Sequence, residues 1–84
     1  MFIKEMKELV KFAIELDIVN MCTKIGYKGD YIISFSGQKE AISKIKYFCN
    51  ESGIENKIMH EQAKAYSTIF CVFHAGDDIY KLKD

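Results

Sequence analysis

The feature that most constrains this chain is a change of hydrophobic period near residue 17. At ~100° per residue, Ile3, Met6, Leu9, Val10, Phe12, Ala13 and Leu16 cluster on one side of a helix, with Lys4, Lys7, Glu8, Lys11 and Glu15 opposite. Were the helix to continue, Ile18, Val19, Cys22 and Ile25 would swing to the far side. The phase break therefore predicts a helix ending near Asp17 and a strand after it. In that strand Val19, Met21 and Ile25 share one face, expected to pack beneath the helices, and Asn20, Cys22 and Lys24 share the other. The turn-forming run Gly26-Tyr27-Lys28-Gly29-Asp30 leads into Tyr31, Ile33 and Phe35 alternating with Ile32, Ser34 and Ser36, so the segment reads as a β-hairpin.

The pattern then repeats in outline. Ser36 or Gly37 is placed to cap a second helix in which Ala41, Ile42, Ile45, Phe48 and Cys49 form an apolar stripe, and Gly53 supplies the left-handed residue that ends it. Ile54 to Gln62 reads as a polar strand and Ala63-Lys64-Ala65 as a link. Tyr66 to His74 reads as a second strand, whose apolar residues on both faces suggest a central position or cover by another subunit. Asp77 can cap a final turn that Ile79 and Leu82 would anchor. The predicted order is αββαββ, with a further terminal α open: a two-layer α+β fold, helices on one face of a four-stranded antiparallel sheet.

Eighty-four residues, 49% of them hydrophobic, suit one domain over 1–84, because chains of this size bury roughly 60 to 65% of their unfolded surface. No run approaches the roughly 20 apolar residues of a membrane span, and charges interrupt the first residues where a signal peptide would be apolar, so a cytoplasmic protein is expected. Twelve basic residues balance twelve acidic ones, which leaves nucleic-acid or membrane attraction to local patches. Cys22, Cys49 and Cys71 are odd in number and widely spaced, against a disulfide framework or a structural zinc site, and are expected as reduced, mostly buried thiols.

The stretch Val10-Lys-Phe-Ala-Ile-Glu-Leu-Asp-Ile18, the element order and the passage Tyr31 to Glu40 together resemble the core of the LAGLIDADG homing endonuclease family. Set on that family's nine-residue signature, Val10 gives the aliphatic start, Ile14 the isoleucine, Glu15 the first acid and Asp17 the second. The resemblance implies a divalent-metal role for Asp17 at the base of two crossed signature helices, with Mg²⁺ serving phosphodiester cleavage. Two departures weigh against it: Phe12 stands at the first glycine and Ile18 at the closing one, where small residues let the helices approach. A degenerate, noncatalytic relative is the reading these residues favour. Apart from the resemblance, an aspartate at such a junction commonly serves as a turn residue accepting local backbone bonds.

Other constellations carry less. Cys71 and His74 are three apart and His60 and Glu61 are adjacent, odd offsets that on a strand send each pair to opposite faces. Asp77 and Asp78 suit a solvated helix start. Lys39, Lys44, Lys46, Lys57 and Lys64 are diluted by Glu40, Glu51, Glu55 and Glu61. More informative is the sheet face turned from the helices, poor in cations and rich in apolar groups. Ile32 and Met59 fall there with one side of the last strand, so the candidate interface residues are Ile32, Met59, Ile69, Phe70, Val72 and Phe73. The expectation is a noncatalytic module that needs no cofactor and acts through a protein partner or self-association as a homodimer. A phage or mobile-element regulator of a host nucleoprotein, of the anti-restriction or anti-CRISPR type, would fit. The alternative is a nucleic-acid-binding protein or a Mg²⁺-dependent endonuclease half.

Overall fold

A computed structural model describes residues 2–26, 29–59 and 65–74, with side chains from Lys4 onward. Along the chain come α1 (Phe2–Ile14), β1 (Ile18–Ile25), β2 (Tyr31–Gln38), α2 (Lys39–Ser52), β3 (Glu55–Met59) and β4 (Tyr66–Phe73). The strands form one antiparallel sheet in the order β1-β2-β4-β3, with the helices packed on it, so the αββαββ order and the α+β class hold. Strand β4 is central, as its apolar run suggested, pairing with β2 on one side and β3 on the other. The turn expected from Asp77 and the pairs His60–Glu61 and Asp77–Asp78 lie outside the described residues.

Helix α1 stops three residues short of Asp17. Its last turn tightens into i→i−3 bonds, Glu15 N–H donating to Phe12 O at 3.3 Å and Leu16 N–H to Ala13 O at 2.9 Å. Glu15 to Asp17 then form a short connector that delivers Ile18 into the sheet. Gly37 makes this entry possible: a Cβ there would sit 2.7 Å from both Asp17 O and Ile18 Cα, so only glycine lets β2 pass beneath the connector.

The second helix begins differently from the expectation. Neither Ser36 nor Gly37 caps it, because β2 runs on through Gln38, which precedes α2 without a side-chain cap bond. Ser36 Oγ instead lies 2.8 Å from Thr68 Oγ1 across the sheet, and Gly37 pairs with Ser67. The first helical N–H, of Lys39, donates to Ala65 O at 3.0 Å, so tertiary structure satisfies a donor that capping would otherwise serve. At the other end Gly53 (φ 72°) takes the left-handed conformation. Its N–H donates to Asn50 O and that of Ile54 to Cys49 O, a Schellman closure.

The core is one cluster: Leu9 and Ala13 of α1, Ile42, Ile45 and Cys49 of α2, Ile33 and Phe35 of β2, Ile54, and Ile69, Cys71 and Phe73 of β4. Each large side chain so buried contributes roughly 1.5–3 kcal/mol. Helix α2 lies over β2, β4 and β3, and α1 packs chiefly on α2, where Phe12 stacks on Phe48 with centroids 4.8 Å apart and planes 20° apart.

Strand β1 departs from the prediction. Register places Met21 beside Phe35 and Ile25 beside Tyr31, on the helix side as expected, yet they are 42% and 63% exposed. Val19 sits at a bulge between Ile18 and Asn20 and is 62% exposed. The reason is the position of α1: it leans on α2 and leaves the outer strand uncovered among the described residues. Cys22 is likewise exposed rather than buried, whereas Cys49 and Cys71 are fully buried. Among the described residues no helix is long and apolar enough to cross a membrane.

Candidate functional site

Sheet register sorts every strand residue onto one of two faces. On the helix side run the rows Thr23–Ile33–Cys71–Asn56 and Met21–Phe35–Ile69–Ile58. On the far face run Lys24–Ile32–Val72–Glu55, then Cys22–Ser34–Phe70–Lys57, then Asn20–Ser36–Thr68–Met59. Neither helix reaches these three rows.

The far face has a clear electrostatic plan. Its charges, Lys24, Glu55 and Lys57, all sit on the edge strands β1 and β3. The two central strands place only Ile32, Val72, Phe70, Ser34, Ser36 and Thr68 in those rows, and the Ser36 and Thr68 hydroxyls engage each other. Ile32, Val72, Phe70 and Met59 form a diagonal apolar band from β2 across β4 to β3, with Met59 49% exposed at its end. Four of the six residues expected at an interface therefore lie on one surface. Ile69 and Phe73 do not: they point under α2 and are 0% and 4% exposed. Residues of odd number in β4 belong to the core and those of even number to the far face, a parity that the doubly apolar sequence of this strand could not reveal.

Asp17 is exposed in the connector after α1. Its carbonyl accepts the Gln38 N–H at 3.4 Å, a backbone role. Among the described residues no three His, Cys, Asp or Glu side chains are grouped so as to hold a metal ion. Phe12, at the signature's first glycine, turns inward onto α2. Along α1, Met6, Val10 and Ile14 together with Lys7 and Lys11 line a shallow groove of about 440 Å³, where Met6 and Val10 also pack against the core.

One cluster escaped sequence reasoning altogether. His74, just past β4, directs Nε2 to Glu55 Oε1 in a hydrogen bond and Nδ1 to Asp30 Oδ2 at 3.4 Å. Cys71 has no part in it, as the odd offset along the strand implies. The three residues are 19 and 25 positions apart in sequence and meet because β2, β4 and β3 bring their ends together. With both ring nitrogens facing carboxylates, both contacts are donated at once only by the protonated imidazole. The arrangement pins the end of β4 to both neighbouring strands.

No protein-family model matches this chain, and no curated protein matches it in sequence.

Proposed function

We propose that this chain is a noncatalytic binding module that docks a protein surface, a second copy of itself being the first to test, onto the far face of its sheet. One observation carries the reading: the centre of that face is uncharged and crossed by the band Ile32, Val72, Phe70 and Met59, while its charges are confined to the edges. An apolar centre within a charged rim is the composition of a protein interface. An open sheet face suits a macromolecule better than a small ligand, which needs a concave pocket. Duplex recognition would call for cations spread across the same surface, and the central strands supply none there. The narrower setting, a phage or mobile-element regulator of a host nucleoprotein, rests on the LAGLIDADG resemblance.

Phe70→Asp and Ile32→Asp test the reading, each expected to cost only about 1–2 kcal/mol of stability on a half-exposed strand position. The folded variants should lose self-association in sedimentation or the capture of a specific protein that the parent chain retains. A parent chain that stays monomeric at high concentration, and captures nothing that Phe70→Asp fails to capture, overturns it. Salt-sensitive duplex binding with Mg²⁺-dependent cleavage abolished by Asp17→Asn would establish the endonuclease reading instead.

A further inference from the structure

Two nucleophilic side chains that the binding face does not use meet inside the core. Cys49 lies on the inner side of α2 and Cys71 in the middle of β4. Both are 0% exposed, and their sulfurs are 3.5 Å apart. A disulfide needs an S–S distance of about 2.05 Å, so closing by roughly 1.5 Å would bond them. The surroundings make the two thiols unequal. The hydrogen bond from Cys71 and the nearby Lys46 charge favour the Cys49 thiolate, against burial, and lower its pKa. That same bond, burial and the Cys49 charge push the Cys71 thiol up. Lys46 is itself held in place, its Nζ donating to Asn56 Oδ1 at 3.1 Å, and Asn56 is the β3 residue opposite Cys71.

We propose that Cys49 and Cys71 are a latent disulfide, closed by a small peroxide, that fastens α2 to the centre of the sheet. Cys49 thiolate attacks one peroxide oxygen, the O–O bond breaks, and hydroxide leaves to take up a proton as water. The sulfur of Cys71 then attacks the resulting sulfenic sulfur; the S–S bond forms, the S–O bond breaks, and the hydroxyl departs as a second water with the Cys71 proton. Two thiols and one hydrogen peroxide give one disulfide and two waters, two electrons passing to the peroxide. Access is by local opening of β3, a five-residue edge strand beside Cys71. Exposed Cys22 lies on the far face of β1, away from the pair.

The test treats the full folded chain with hydrogen peroxide, then denatures, alkylates free thiols and cleaves after lysine. Segments 47–57 and 65–81, which hold Cys49 and Cys71, should emerge linked with two hydrogens lost, and the 12–24 segment holding Cys22 should remain unlinked. The Cys49–Cys71 link should exceed either link to Cys22 by roughly ten-fold or more in the folded chain, because native contact supplies the effective concentration. In urea that preference should vanish. The oxidised chain should also melt roughly 10 °C higher. Recovery of Cys49 and Cys71 both alkylated, or an even mixture of the three possible links from folded protein, overturns the proposal.

Discussion

Strands β1 and β4 are both eight residues long and both rich in apolar side chains, yet they have opposite fates. On the helix side of β4, Ser67, Ile69, Cys71 and Phe73 are all buried, whereas Met21 and Ile25 on the same side of β1 stand in solvent. Composition does not separate them. What separates them is that β4 has a strand on each flank and α2 above, while β1 is a sheet edge on which only Ile18 packs against the core and every later residue is exposed. An apolar edge strand of this length presents unpaired backbone groups that invite another strand. The core is therefore off-centre, weighted toward β2, β4 and α2, with β1 held mainly through its hairpin with β2.

That contrast can be broken most forcefully in β4. Ile69→Ala removes a fully buried side chain beneath α2 and should cost about 3 kcal/mol, a large part of the roughly 4–12 kcal/mol available to a domain of this size. Urea unfolding followed by circular dichroism reads it directly, and a loss below 1 kcal/mol would mean that β4 is not the centre of the core. Next comes the tie between the strands. Gly37→Ala puts a methyl group 2.7 Å from the backbone of the connector and of β1, and should cost about 1–3 kcal/mol as the hairpin shifts. A neutral result would show that β1 moves aside freely. Gly53→Ala meets nothing within 4 Å, so its cost of about 1 kcal/mol comes from the left-handed backbone alone. It calibrates what pure conformational strain does here, by the same urea titration. Smallest of all, Met21→Thr and Ile25→Thr in β1 should stay within about 0.5 kcal/mol in dilute solution. A loss that grows with protein concentration would instead show that a second copy covers this edge.

Much of the fold was legible in the residues because local rules decide it. The apolar stripe of α1, the alternation of β2 and the glycine after α2 each act over a few positions, and all three appear where the pattern puts them. The start of α2 was not legible: Ser36 looked like a cap, but Thr68, 32 residues away, holds its hydroxyl. Nor was the split of β4, since Ile69 and Phe70 are equally apolar and only the register with Phe35 and Ser34 assigns one to the core and the other to the surface. The His74 cluster and the Cys49–Cys71 pair needed strand order as well, for neither has any sequence spacing of its own.

The sequence by itself determined the elements and their succession, because helix and strand periods, turn residues and the left-handed glycine act through neighbouring backbone. The tertiary structure decided which apolar residues are buried, which strand lies at the edge and which distant side chains meet. Those outcomes depend on how far a helix reaches across a sheet, and burial is a property of the finished surface and not of any single residue.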